Sequence, residues 1–178
     1  MQLSNRFILT ALTLASLSFA RAQENLVLQQ PVDPNLRFGV TYDHRVTPSG
    51  THGVGFEIGY AQRIYPLDQM VITYGHMSRA SVEQNYVIIA FEEHYPLTER
   101  LSLYGNSGVG FMKTDIDNQS NREGIFGKIA LGIFAPVCSS STLYAEAQYQ
   151  IAEKRLWVDR GSFDRQNVLF SIGFRYAF

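Results

Sequence analysis

With 178 residues, a net charge of −1 and a pI of about 6.4, the chain has room for one domain and little else. Its 15 basic and 16 acidic residues balance, which excludes the broad electropositive field that nucleic acid requires, so no nucleic-acid partner is expected. Aromatic content of 13%, with 14 glycines and only 4 methionines, favours strands and tight turns over a helical bundle.

At the N-terminus, Arg6 precedes an apolar run from Phe7 to Ala20, and Ala20-Arg21-Ala22 supplies the small residues that a signal peptidase pocket accepts. The run is shorter than the ~20 residues of a spanning helix, and no later segment reaches that length. The expected division is a cleaved signal peptide over 1–22, a short N-terminal segment over 23–34 and the folded domain over 35–178.

From Leu36 onward the sequence alternates with period two, the repeat that sends successive side chains to opposite faces of a strand. Leu36, Phe38, Val40 and Tyr42 alternate with Arg37, Gly39, Thr41 and Asp43, and Val54, Phe56, Ile58 and Tyr60 with Gly55, Glu57, Gly59 and Ala61. Three less regular strands fall near 70–79, 85–95 and 101–113. Ile125, Ile129, Leu131 and Ile133 then alternate with Lys128, Ala130 and Gly132, and Leu143, Ala145, Ala147, Tyr149 and Ile151 with Tyr144, Glu146, Gln148 and Gln150. The last strand places Val168, Phe170, Ile172, Phe174, Tyr176 and Phe178 on one face and Leu169, Ser171, Gly173, Arg175 and Ala177 on the other. Eight antiparallel segments result.

The connections alternate as well. Compact breaker segments containing Pro66, Pro96 and Pro136 follow the second, fourth and sixth strands, where proline is expected to end the ladder. Polar stretches at 45–52, 79–84, 114–123 and 154–164 follow the others. Short turns on one rim with longer polar loops on the other is the asymmetry of a transmembrane barrel, and an even strand number puts both chain ends on the short-turn rim.

Period two does not by itself say which face is outside. The polar face carries Arg37, Arg63, Lys128 and Arg175 against Asp43, Glu57, Glu92 and Glu146, amid small residues. A water-facing exterior would be richer in large charged groups, whereas a narrow eight-stranded interior is filled by small groups and paired charges. Pairing removes much of the cost of enclosing them. An open sheet edge in lipid would leave backbone groups unpaired, so the first and last strands must close. The expected fold is all-β: an eight-stranded antiparallel up-and-down transmembrane β-barrel with an enclosed charge network of these eight residues.

In architecture the chain resembles the small OmpA/OmpX-type outer-membrane barrel proteins over nearly all of 35–178. Its ending Ser171-Ile172-Gly173-Phe174-Arg175-Tyr176-Ala177-Phe178 is similar to that family's C-terminal assembly signal. The resemblance implies that the barrel-assembly machinery reads Gly173, Tyr176 and Phe178. It also implies an outer-membrane location in a Gram-negative bacterium with both termini periplasmic, contact with lipid and lipopolysaccharide, display of the loops to an extracellular partner, and a monomeric state. The role implied is structural, in envelope integrity or surface contact.

Other chemistry is weighed against this reading. His76-Met77-Ser78 resembles the His-x-Ser pair of outer-membrane lipid A deacylases, in which a base and a nucleophile share a strand face beside lipid. Glu83 or Glu92 would orient the histidine. Arg79 stands where that family carries asparagine, and five strands follow the pair where few are expected. Asp115, Asp117 and Asn118 fail as a calcium loop because Ser120 occupies the glycine position. His44, His52, His76 and His94 show no metal-ligand spacing, so neither a metal nor a cofactor is expected. Trp157, with Leu156 and Val158, reads as a sticky loop tip or a membrane-girdle residue. Cys138 has no cysteine to pair with. The reading is non-enzymatic, with a lipid A-modifying esterase and a narrow ion-conducting pore as the alternatives.

Overall fold

The computed structural model describes residues 35–47, 51–64, 68–79, 82–98, 100–116, 121–159 and 162–178. The expected signal peptide and the segment 23–34 lie outside them. The described chain forms β1 (Asn35–Thr47), β2 (His52–Arg63), β3 (Asp68–Arg79), β4 (Val82–Thr98), β5 (Leu101–Ile116), β6 (Arg122–Cys138), β7 (Ser141–Ala152), β8 (Trp157–Asp159), β9 (Ser162–Asp164) and β10 (Gln166–Ala177). Eight of these close a barrel in the order β1-β10-β7-β6-β5-β4-β3-β2, with every pairing antiparallel. Closure comes from β1 and β10, which pair from Arg37↔Ala177 to Thr47↔Val168. The rim where β1 begins and β10 ends is called here the terminal rim; the opposite one is the loop rim.

The period-two pattern sets which side chains face out. All eight barrel strands turn large apolar residues outward, among them Phe56, Ile72, Phe91, Val109, Leu131 and Leu143, with Phe170 53% and Ile172 62% exposed. On β4 the structure separates neighbours that the sequence barely orders: Ile88 is buried inside, while Ile89 and Phe91 face out.

Two expectations about the ends of strands are corrected. Pro96 and Pro136 lie within β4 and β6, at register shifts between Pro96/Thr98 and Pro136/Cys138. The prolines themselves stay in register with Ser102 and Thr142, and the residue after each, Leu97 or Val137, is the one left unpaired, so each ladder is broken one step past its proline. The polar stretches also shrink, because strands extend into them. β3 runs to Arg79 and β4 starts at Val82, and β5 and β6 take up both ends of 114–123. At 12 to 17 residues the barrel strands exceed the ~9–11 that a tilted strand needs to cross a bilayer. The stretch 154–164 is not a plain loop; it carries the hairpin β8–β9, paired from Trp157↔Asp164 to Asp159↔Ser162.

Candidate functional site

The interior is narrow, so inward positions must carry small residues, paired charges or groups that fold flat. Three tyrosines fold flat. Tyr86, Tyr104 and Tyr144 lie opposite Gly75, Gly132 and Gly173 as direct cross-strand partners. Each ring covers its glycine so closely that a Cβ there would collide with it. The rings are thereby directed across the lumen, where the Tyr86 hydroxyl donates to Glu57 and the Tyr104 hydroxyl to Glu146. The Arg175 guanidinium sits 5.0 Å from the centre of the Tyr144 ring, within cation–π range.

Toward the terminal rim, Glu92 is the hub. It is 2% exposed and accepts from Arg37 at 2.8 Å and from Asn106 at 3.3 Å, with Arg175 and His94 each at 3.5 Å. Arg37 also donates to Gln69. Midway, Glu146 accepts from Lys128 at 3.4 Å and from Gln148. Nearer the loop rim Asp43 faces Arg79 at 3.2 Å and Thr41 at 3.0 Å, and an amide chain runs from Arg45 through Asn167 and Gln150 to Gln148 and Ser171.

Arg37, Asp43, Glu57, Glu92, Lys128, Glu146 and Arg175, all expected in the charge network, therefore make lumenal contacts with one another or with a tyrosine or arginine. Arg63 lies farther along the inward face of β2, half-buried at the terminal rim. Arg45, Arg79, His94 and the three tyrosines are additional members, and their inward parity on the strands was the signal that would have found them. Two cavities between these side chains measure about 10 Å³ and 20 Å³. That is room for about one water each, since a water needs roughly 10–15 Å³.

Toward the loop rim, apolar packing covers the inward faces of β4 to β7. Leu156 and Trp157 are fully buried and join Ile88, Ala90, Met112, Phe126 and Ala152 in one cluster, with Tyr86 against it. Thr114 anchors the segment by donating to the Leu156 carbonyl at 3.0 Å. Trp157 is thus neither a sticky tip nor a girdle residue, because the hairpin tucks it among inward side chains of the wall. Its indole N–H has no hydrogen-bond partner among the described residues.

His76 and Ser78 sit on the outer face of β3 near the loop rim, Ser78 exposed and His76 half-buried. His76 stacks on Phe56 at 5.3 Å, and its Nδ1 lies 2.9 Å from Oδ1 of Asn85. Among the described residues no hydrogen bond joins it to Ser78. Glu83 pairs across from Ser78 in the ladder, whereas Glu92 points into the lumen and is unavailable to orient this histidine. Near the end of β5, Asp115 forms an ion pair with Lys113 at 2.9 Å; Asp117, Asn118 and Ser120 lie outside the described residues. Of the four histidines, His44 and His52 meet on the outer face, while His76 and His94 lie apart from them.

The C-terminal motif divides by parity. Ser171 and Gly173 face inward, where Ser171 accepts from Gln148 and Gly173 seats Tyr144. Tyr176 and Phe178 face outward in an edge-to-face contact at 4.8 Å. Cys138 is exposed in the turn region between β6 and β7 on the terminal rim.

No family profile matches the sequence, and no curated protein matches it by sequence. Solved structures do match in shape. The Neisserial surface protein A aligns with a TM-score of 0.63 at 13% identity, over 82% of this chain and 97% of that one. The N-terminal β-barrel domain of Pseudomonas aeruginosa OprF aligns at 0.55 and 13% identity, over 81% and 97%. A de novo designed transmembrane β-barrel aligns at 0.53 and 17% identity, over 84% and 100%. A designed barrel sharing this shape shows that the match follows from strand number and closure, not from common residues. The chain has the closed eight-stranded fold of the small outer-membrane β-barrels.

Proposed function

We propose that the protein is an integral outer-membrane β-barrel of a Gram-negative envelope, non-enzymatic and non-conducting, with a role in envelope integrity or surface contact. The observation that carries this reading is the pairing of an apolar belt contributed by all eight barrel strands with an ionised, hydrogen-bonded interior. Soluble monomers rarely expose contiguous apolar patches beyond a few hundred Å². In lipid the same belt is the matched surface, and closure leaves no edge unpaired. Acyl chains and lipopolysaccharide are then its standing partners, and the barrel is monomeric.

In this reading the terminal rim faces the periplasm and the loop rim the outside, where the loops are free to meet an extracellular partner. The barrel-assembly machinery reads Gly173, Tyr176 and Phe178. Deleting Phe178 should lower the amount assembled in the membrane while leaving refolding of the purified chain into vesicles intact; equal loss in both would make the residue merely structural. Sarkosyl-insoluble recovery with the outer membrane supports the location, and recovery as a detergent-free periplasmic monomer refutes it.

Two features support the absence of conduction: water-sized cavities and the Leu156–Trp157 plug. A planar bilayer that stays silent after verified insertion is the expected result, and steady ion-selective steps are the contrary one. His76 engages Asn85 and stacks on Phe56, which supports an interfacial role over catalysis. Lipid A profiles should be unchanged by Ser78→Ala.

A further inference from the structure

The outer face of the β1–β2 hairpin carries a cluster that neither the charge network nor the plug uses. His44 and His52 are direct cross-strand partners. One step nearer the turn, the backbone N–H of Arg45 donates to the Thr51 carbonyl at 2.9 Å. Bonded and non-bonded pairs alternate along an antiparallel ladder, so His44 and His52 form a non-bonded pair, the type in which side chains approach most closely. Their Nδ1 atoms are 3.2 Å apart, with the rings 4.6 Å centre to centre. The Tyr42 hydroxyl oxygen lies 2.6 Å from the same Nδ1 of His52.

Three heteroatoms thus converge on one spot. A neutral imidazole nitrogen offers one lone pair or one proton, so His52 Nδ1 can engage Tyr42 or His44 but not both. A cation shared by the two imidazoles resolves that conflict and leaves the phenol free to hydrogen-bond. We infer that His44 and His52 bind a divalent transition-metal ion of the zinc(II), nickel(II) or copper(II) class through their Nδ1 atoms, with Tyr42 beside it.

The spacing fits. Metal–nitrogen bonds of about 2.0–2.1 Å in tetrahedral geometry place two ligand atoms about 3.3 Å apart. Imidazole suits these ions, whereas magnesium and calcium require oxygen ligands. Among the described residues no third histidine, cysteine or carboxylate joins the pair. Water therefore completes the coordination, and the site is an open one, reached directly from the exposed face of the hairpin.

Calorimetric titration of the tag-free chain, folded in detergent, with zinc, nickel or copper salts should show one ion bound per chain. His44→Ala and His52→Ala should each weaken binding by more than about tenfold, since even outer-shell partners of metal ligands control 10–100-fold. Tyr42→Phe should weaken it less, and His76→Ala should leave it unchanged. Affinity should fall as pH falls, because the ligand nitrogens must be deprotonated. Binding by His44→Ala/His52→Ala equal to that of the unsubstituted chain overturns the inference. Should a variant lose the heat-modifiable migration of a folded barrel, copper(II) electron paramagnetic resonance of the unsubstituted protein decides: coupling to two nitrogens supports the site, and an all-oxygen signal refutes it.

Discussion

Two regions of the barrel interior fill a narrow lumen by different means. Toward the terminal rim, Glu92 gathers Arg37, Arg175, His94 and Asn106, so each enclosed charge depends on a neighbour on another strand. At the loop rim, a segment that belongs to no barrel strand brings Leu156 and Trp157 against inward apolar residues of β4 to β7. A charge hub is cooperative with the wall, because removing one partner strands the others in a low dielectric. A plug is a separate piece, able to leave while the wall stands.

The comparison breaks first at the hub. Glu92→Ala leaves Arg37 and Arg175 without their shared carboxylate and should destabilise the barrel by about 3–5 kcal/mol, the usual cost of removing one partner of a buried pair. Urea unfolding in lipid vesicles measures it; a loss under about 1 kcal/mol would show that the hub is not structural.

Trp157→Ala should cost less, at most about 3 kcal/mol, because the plug can detach without opening the wall. Trp157 is the sole tryptophan, so the unsubstituted protein reports on its own plug. Its fluorescence should be shielded from acrylamide in the folded state and become quenchable at urea concentrations below those that unfold the strands. Coincident transitions would mean that plug and wall are one unit.

A smaller effect sharpens the account of how the wall directs side chains inward. Gly75→Ala forces the Tyr86 ring off its seat and should destabilise by about 2 kcal/mol, within the range for overpacking. Combining it with Tyr86→Ala should relieve part of that loss in a double-mutant cycle, and strict additivity would contradict the ring-on-glycine contact.

How far each half was legible follows from what sequence patterns encode. Arg37, Glu92, Glu146 and Arg175 could be placed inside because parity on a strand fixes the face, and parity survives even where β4 is irregular. Tyr144 is legible as inward because it shares the parity of Glu146 and Gln148, whereas Tyr86 and Tyr104 fall on the less regular strands, and the glycines opposite all three become informative only once the register is known. The plug was illegible: Leu156 and Trp157 lie beyond β7, where no period operates, and a tryptophan among charged residues looks like an interfacial anchor until tertiary packing buries it. The prolines misled for a local reason, since a breaker within a strand is invisible until a bulge accommodates it. His44 and His52 are eight residues apart in sequence and adjacent only through the hairpin.

The least perturbing test concerns the rims. Cys138 is the only cysteine and is exposed on the terminal rim. A membrane-impermeant maleimide should leave it unlabelled in intact cells and label it once the outer membrane is permeabilised; labelling of intact cells would invert the barrel. Hydrogen bonding to Ser141, and to the backbone of Ser140 and Ser141, holds the thiol below its ordinary value. Alkylation follows the thiolate, so the rate should reach half its maximum at a lower pH than for a free cysteine, and Ser141→Ala should move that midpoint back up.

The central claim is that the apolar face meets acyl chains while the charged face is enclosed. Nitroxide labels placed singly at Phe170, Ser171, Ile172 and Phe174, in a Cys138→Ser background in lipid vesicles, test it directly by power-saturation electron paramagnetic resonance. Labels at 170, 172 and 174 should relax with oxygen, which concentrates in lipid, and the label at 171 should respond weakly to it. A reversed pattern, with 171 in lipid and its neighbours reached by a water-soluble nickel complex, would contradict the account.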